Sequence, residues 1–367
     1  MKRSEEQMRE ILNKEIQLSD TVEKRIQDTY RMLGIEKKRH SKRRNMVAAA
    51  AAVLCLAVPG VAYASANSDF FQGMFGNDTK KSTQAYDREI DDGKGGKVSV
   101  TIPSKEYVPV DAAKAGELVG EWLMDERITV KAGQSHTLNI EGFVYDRNGA
   151  MMYFTLERED GVTALTGDEN MNLTKGAAFT DESDFYFSVE TKKGIIGHDN
   201  VFVDLEKSTS DKIYGYSYIL WSETLEEGDV PQLRLDTYPC TRKELGDETE
   251  IKTENIKLTD KGQIPTKTLD LGEKGHIEYS PISLSVDMSK GFGLTEEQAE
   301  DPYYNTYVGL RYKNGESYVI SDDENSVNNT GYVMGTGTWY KVMYNRLVDP
   351  EEISEIEVNG MKFVLQR

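Results

Sequence analysis

One uncharged apolar segment constrains the fold of this chain more than any other feature. Residues 46–66 contain no Asp, Glu, Lys or Arg, and a helix of about 20 apolar residues crosses the hydrocarbon core of a bilayer. A basic cluster at 37–44 lies directly before the segment, and cationic residues at one end of a span are held on the cytoplasmic side. The sequence therefore predicts a cytoplasmic tail at 1–45, one transmembrane helix at 46–66, and a large domain on the outside of the cell membrane.

The end of the apolar segment has a second interpretation. Ala62-Tyr63-Ala64 is typical of the small residues before the cleavage site of a secretory signal, with cleavage after Ala64. However, about 45 residues precede the segment, far more than the short basic leader of a signal peptide. A buried helix of a soluble protein is a third interpretation, which the basic cluster at its entrance disfavours. We interpret 46–66 as an uncleaved span, and whether the chain is cut after Ala64 stays open.

The charge of the chain changes sign across this segment. Residues 1–45 carry 13 Lys and Arg against 8 Asp and Glu, which is a net charge of +5. The whole chain has a formal net charge of -19, so the residues beyond the segment carry -24. A strongly acidic domain is not expected to bind nucleic acid or anionic lipid. Cys55 lies in the segment and Cys240 lies beyond it, so we expect no disulfide between them.

The tail predicts two short amphipathic helices. Apolar residues recur there at helical spacing in two runs. The first run is Met8, Ile11, Leu12 and Ile16, and the second is Val22, Ile26, Tyr30 and Leu33. We interpret the second run as a docking face for a cytoplasmic protein, which would bind it as a helix in a groove. The alternative is that the two helices pair with each other or lie on the membrane surface.

Strand patterns dominate the region outside the membrane, after one short helix that is predicted within 111–126. Asn148-Gly149 and Asn359-Gly360 each separate two apolar, β-prone runs, which is the strongest short-range signal for a β-hairpin. Between these hairpins, 276–286 is interpreted as one continuous strand.

The exterior region is predicted to contain two modules. A polar stretch near residue 246 divides it into a β domain at 67–245 and a C-terminal β module at 246–367. Many short strands with frequent turn signals favour paired antiparallel sheets. The sequence therefore predicts a mainly β fold with two immunoglobulin-like antiparallel β-sandwich modules.

The exterior carries no motif of a known catalytic centre. The sequence contains no nucleophile elbow, zinc-binding histidine pair, phosphate-binding loop or dinucleotide fingerprint. His136, His198 and His276 are interpreted as scattered surface residues. The acidic run at 322–325 is interpreted as a solvated loop, since its spacing differs from that of a calcium-binding loop. We therefore expect no enzyme, no cofactor and no metal site.

Three alternate residues of one predicted strand are tyrosines. Tyr214, Tyr216 and Tyr218 fall on the same face of that strand. Such a row can present a ligand face to a wall polymer or a peptide, and the alternative is that it belongs to a half-buried sheet. The first interpretation defines a second functional hypothesis, a cell-surface protein that binds an envelope ligand through its β modules.

Several short motifs together resemble a known family. They are the tail segment 18–26, the stretch 142–149 with Asp146-Arg147-Asn148-Gly149, and the ending that runs from Asp349-Pro350-Glu351-Glu352-Ile353 to Asn359-Gly360. With the basic cluster and the Ala-rich span, the chain is similar to the DUF4179-containing membrane proteins of Firmicutes, which are often grouped with anti-sigma factors.

That resemblance implies a regulatory role. The tail would hold an extracytoplasmic-function sigma factor at the inner membrane face, and the exterior would sense the state of the envelope. Release would follow proteolysis or a conformational change. Residues 1–45 contain no cysteine, so the zinc motif of zinc-containing anti-sigma domains is missing, and sigma-factor binding would depend on the apolar face of Val22, Ile26, Tyr30 and Leu33.

Overall fold

A computed structural model shows a mainly β protein with one short α-helix in its described part. The chain separates into two compact units, 1–58 and 59–367, and every described residue belongs to the second unit. The described residues are 75, 86–91, 97–102, 108, 110, 112–124, 126–166, 178–204, 207–246, 249–259, 261–288, 292, 306–321, 332–336 and 339–365.

The predictions made for the tail and the span lie outside these residues. This applies to the docking residues Val22, Ile26, Tyr30 and Leu33, to the segment 46–66 and to the cleavage site after Ala64. A search of the described residues finds no helix with the length and apolar character that a membrane crossing requires.

The described part of the chain begins with a hairpin and a helix. Strands β1 (Tyr86–Asp91) and β2 (Lys97–Ile102) pair antiparallel. Helix α1 (Ala112–Val119) continues into a 3-10 turn at Gly120–Trp122. Ala115, Gly116, Leu118 and Val119 form the buried face of α1. The short helix predicted within 111–126 is therefore confirmed, and its apolar spacing marks the face that packs against the rest of the protein.

Two antiparallel sheets then pack face to face as the first sandwich. The larger sheet contains β3 (Ile128–Ala132), β4 (His136–Tyr145), β5 (Gly149–Glu157), β9 (Gly197–Val203) and β10 (Lys212–Trp221), in the order β3-β4-β5-β10-β9. The smaller sheet contains β8 (Phe185–Thr191), β11 (Pro231–Thr237) and β12 (Lys252–Lys257), in the order β12-β11-β8. A short antiparallel pair, β6 (Leu165–Thr166) and β7 (Ala178–Phe179), lies between β5 and β8 in sequence.

One apolar cluster fills the space between these two sheets. Phe143 and Phe154 of the larger sheet share it with Phe187 and Leu233 of the smaller sheet. Along β8 the burial alternates from residue to residue, as expected for a strand with one face in a core. Leu258, which follows β12, belongs to the same cluster. The first sandwich therefore extends beyond the boundary predicted between residues 245 and 246, because β12 pairs with β11.

Two more antiparallel sheets form the second sandwich. One contains β13 (Lys267–Asp270), β14 (His276–Tyr279), β15 (Ser283–Asp287), β18 (Tyr332–Thr336) and β19 (Trp339–Met343), in the order β13-β14-β15-β19-β18. The other contains β16 (Val308–Tyr312), β17 (Ser317–Ser321), β20 (Ile353–Val358) and β21 (Met361–Val364), in the order β17-β16-β20-β21. Their shared core includes Leu284, Val342, Leu310 and Ile356.

The two hairpins predicted from Asn-Gly pairs are present. Strands β4 and β5 pair across the first, and β20 and β21 pair across the second. Asn359 and Gly360 have φ angles of 47° and 78°, as a two-residue turn between twisted strands requires. One strand prediction was wrong. Residues 276–286 form two strands, β14 and β15, which reverse direction at 280–282.

Candidate functional site at the joint of the two sandwiches

A buried carboxylate lies where the two sandwiches meet. Asp146 follows β4, is fully buried, and accepts hydrogen bonds at Oδ1 from the backbone N–H groups of Asn148 at 2.7 Å and Gly149 at 2.8 Å. Its other oxygen, Oδ2, accepts hydrogen bonds from the hydroxyl groups of Ser280, in the turn after β14, and Ser283, the first residue of β15. The carboxylate therefore stabilises its own hairpin turn and binds the second sandwich to it.

A salt bridge extends this contact. Arg147 is the next residue of the same turn, and its guanidinium lies 3.1 Å from the carboxylate of Glu278 on β14. Arg147 Nε also donates a hydrogen bond to the carbonyl of Leu225, at 3.1 Å. Glu278 is 3% exposed. The pair is therefore shielded from water on the glutamate side, where a lost partner would leave a buried charge.

A lysine of the second sandwich reaches the first. Lys341 of β19 is 1% exposed, and its Nζ donates a hydrogen bond to the carbonyl of Trp221, at 3.1 Å. Burial lowers the pKa of Lys341 to about 8, although the negative charges of Asp146, Glu278 and Glu223 act in the opposite direction. Burial likewise raises the pKa of Asp146, and the hydrogen bonds from the two serines oppose that change.

Gly149 leaves no room for a side chain beside these polar contacts. A Cβ atom at this position would lie 2.3 Å from Sδ of Met343 and 2.5 Å from the carbonyl oxygen of Ile219. Both distances are shorter than van der Waals contact allows, so a side chain cannot fit without movement. The contacts of 146–149 with Ser280, Ser283 and Glu278, together with the hydrogen bond from Lys341 to Trp221, are here called the joint.

A segment around α1 contacts both sandwiches beside the joint. We call residues 108, 110 and 112–124 the strap. The backbone N–H of Val108 donates to the carbonyl of Asn345 in the second sandwich, at 2.7 Å, and that of Met124 donates to the carbonyl of Phe143 in the first, at 3.1 Å. Lys114 also forms an ion pair with Asp349. The strap is therefore tied to the first sandwich at one end and to the second at the other.

The buried face of the strap completes an apolar cluster between the sandwiches. Leu118, Val119 and Leu123 of the strap belong to this cluster together with Phe75. The N–H of Val110 donates to the carbonyl of Phe75, at 2.8 Å. The first sandwich contributes Val144, Met151, Tyr153, Tyr216, Tyr218 and Leu220, and the second contributes Ile282, Met343 and Leu347. The joint thus has a polar side at Asp146 and an apolar side beneath the strap.

This arrangement corrects the interpretation of the tyrosine row. Tyr216 and Tyr218 are each 2% exposed and lie in the apolar cluster with the strap. The ring of Tyr216 stacks on that of Tyr153, with centroids 4.9 Å apart. Tyr214, at the end of the row, is half-buried, with Lys212 Nζ 5.1 Å from its ring centroid. Tyr216 and Tyr218 offer no surface to a polymer, because residues of α1 and of the first sandwich cover that face.

The histidine interpretation also needs a correction. His136 is 2% exposed and lies 5.3 Å from the ring of Phe185. Burial lowers the pKa of His136, and the charge of Arg158 acts in the same direction. His276 lies at the joint, 3.8 Å from Glu278. Within the described residues, no group of three or more His, Cys, Asp or Glu side chains is arranged to hold a metal ion.

The joint itself was not predicted from the sequence, although one signal for it was present. Ser280-Pro281-Ile282-Ser283 combines a proline with two serines, which is typical of a turn. Interpreting 276–286 as one strand hid that turn. Nothing local indicates that the turn contacts Asp146, which lies 134 positions away in sequence from Ser280.

Comparisons with known proteins leave the function to be argued from the chain itself. No protein-family model matches the chain, and no curated protein does. Among solved structures, the chain is similar to the crystal structure of the conserved domain protein from Bacillus anthracis, with 11% sequence identity and a TM-score of 0.38. The alignment covers 65% of this chain and 77% of that one.

Proposed function

We propose that this chain is a single-pass membrane regulatory protein that resembles anti-sigma factors. In this proposal, the tail at 1–45 binds an extracytoplasmic-function sigma factor, the segment 46–66 spans the membrane, and the β region senses the state of the envelope. The charge reversal across 46–66 and the basic cluster at 37–44 support this topology. We also propose that the two sandwiches are immunoglobulin-like, since each packs two antiparallel sheets around one apolar core.

The position of Phe75 carries the regulatory proposal. Phe75 follows the predicted span closely in sequence, and it is fully buried in the cluster to which both sandwiches and the strap contribute. Burial between the two sandwiches of a residue near the predicted span supports a role in which their arrangement matters. An anchor between two bodies moves when they move relative to each other, so their arrangement can be passed to the span.

The alternative hypothesis, a surface protein that binds a wall polymer or peptide, loses support from the same cluster. Its candidate face required exposed tyrosines, and Tyr216 and Tyr218 are buried.

Co-purification from membranes tests the proposal. The full-length protein is expected to retain an extracytoplasmic-function sigma factor. Replacing Val22, Ile26 and Tyr30 with Asp is expected to abolish retention, because three charges would enter an apolar docking face. A matched control replaces Lys24, Asp28 and Arg31 of the same segment with Ala and is expected to retain the partner. A wild-type protein with no sigma factor attached, or equal retention by the Asp variant, would contradict the proposal.

A further inference from the structure

We propose that the strap and the joint form a two-state latch. In the closed state the strap is seated and the sandwiches are locked together, and in the open state the strap is released and the sandwiches separate. This inference deepens the proposed function, and its meaning for signalling rests on that function. The geometry that supports it involves only described residues of the β region.

The first support is that the strap bridges the two sandwiches. Its hydrogen bond from Val108 and the ion pair of Lys114 reach the second sandwich, through Asn345 and Asp349. Its hydrogen bond from Met124 reaches the first sandwich. Separating the sandwiches must therefore break the strap's contacts with at least one of them.

The second support is the chemistry of the polar side of the joint. Asp146, Glu278 and Lys341 are all buried there, and the desolvation of buried ions can exceed their mutual attraction. Opening the joint returns these groups to water, which offsets part of the contact energy that is lost. Opening either sandwich would instead expose its apolar core, with no such compensation. The joint is therefore the contact expected to open first.

The third support is that the apolar side of the joint is incomplete without the strap. Leu118, Val119 and Leu123 fill the cluster between Tyr218 of the first sandwich and Ile282 of the second. Releasing the strap would expose apolar surface of both sandwiches at once. The seated strap stabilises the closed joint, and by linkage the closed joint stabilises the seated strap to the same extent.

Reciprocal coupling of this kind is testable by hydrogen exchange on the full-length protein. The reporters are the strap at 112–124 and the amide of Ile264. Ile264 lies in the segment between the two sandwiches, and its N–H donates to the carbonyl of Tyr145, at 2.7 Å. The joint variant is Ser280→Ala with Ser283→Ala, which removes two donors from the buried Asp146. Its matched control is Ser354→Ala on β20, which removes a hydroxyl hydrogen bond to the carbonyl of Arg311, at 3.0 Å, within the second sandwich.

The joint variant is expected to raise exchange in the strap by about tenfold or more, since each lost hydrogen bond to a buried charged group is costly. Ser354→Ala is expected to leave exchange in the strap unchanged. In the reverse direction, Leu118→Ala is expected to raise exchange at Ile264, whereas Glu121→Ala on the exposed side of the strap is expected to have no effect. The strands β4 and β16 are expected to keep their protection in all four variants.

Two results would overturn the latch. One is unchanged exchange at either reporter, in the strap of the joint variant or at Ile264 of the Leu118→Ala variant. The other is a uniform rise in exchange across β4, β16 and the strap, since the joint would then open only with global unfolding. Should the double serine variant fail to fold, Ser283→Ala alone provides the milder test. The experiment needs no sigma factor, so its outcome is independent of the co-purification test.

Discussion

The sandwich cores and the joint are buried to a similar degree but are held together differently. In the first core, aromatic rings pack edge to face, as Phe154 and Phe187 do with centroids 5.2 Å apart. At the joint, a buried charge is held by hydrogen bonds from specific groups, as Asp146 is by Ser280 and Ser283. An apolar core tolerates small adjustments of its neighbours, whereas a charge contact depends on each partner. The comparison indicates that the sandwiches provide stability and that the joint provides a defined and reversible arrangement.

The largest expected effect is the loss of stability when a large side chain is removed from the core of the first sandwich. Phe154→Ala removes a fully buried ring that packs against Phe187 and lies over Gly215. We expect the free energy of unfolding to fall by about 3–5 kcal/mol, as measured by chemical denaturation. Val364→Ala serves as the control, since Val364 is 68% exposed and a surface change is expected to stay within about 0.5 kcal/mol. A loss below about 1 kcal/mol for Phe154→Ala would break the comparison.

An intermediate effect is expected at Gly149, where the joint leaves no room for a side chain. Gly149→Ala places a methyl group against Met343 and the carbonyl of Ile219, and overpacking of this kind costs about 1–3 kcal/mol. Gly246→Ala is the matched control, because a Cβ atom at Gly246 would meet nothing within 4 Å. Equal stability of the two variants would show that the sandwiches do not approach each other closely at Gly149.

The smallest expected effect is a pH dependence that originates at Lys341. Its pKa is lowered from 10.5 to about 8 in the folded protein, so above pH 8 the unfolded chain binds a proton that the folded protein has released. Stability must then rise with pH through this window. We expect a gain of about 1–2 kcal/mol between about pH 8 and pH 9.5 in the wild type relative to Lys341→Met.

The Lys341→Met comparison is needed because buried tyrosines act in the opposite direction. Burial raises the pKa of Tyr145, for example, so its contribution to stability is lost as the pH rises above the ordinary tyrosine range. Subtracting the Lys341→Met profile removes that shared contribution. Parallel stability profiles for the two proteins would mean that Lys341 is not desolvated at the joint.

Local patterns in the sequence predicted both Asn-Gly hairpins and the short helix, but they missed the turn at 280–282 and the assembly of the elements. Asn359-Gly360 predicted its hairpin, because two consecutive positive φ angles favour those residue types wherever they occur. The alternation of Tyr214, Tyr216 and Tyr218 correctly placed three side chains on one face of a strand. It could not indicate that α1, about 100 residues earlier, packs on that face, because burial of an outer sheet face is set by tertiary contacts.

The joint illustrates the same limit for polar residues. Asp146 was assigned to a hairpin turn, and its Oδ1 does stabilise that turn. The role of Oδ2 depends on Ser280 and Ser283, which sequence reasoning placed inside a single strand. Short-range signals predict the hydrogen bonds that Oδ1 of Asp146 accepts within its own turn. The partners of Oδ2 come from the second sandwich, so they depend on how the two sandwiches pack.

The central claim is that the joint and the strap open together at a lower free energy than either sandwich. Hydrogen exchange of the full-length wild-type protein over a series of low denaturant concentrations tests it most directly. We expect Ile264 and the strap at 112–124 to share one opening free energy, which lies below the value shared by the strands β4 and β16. A single opening free energy for all four regions, or separate values for Ile264 and the strap, would contradict it.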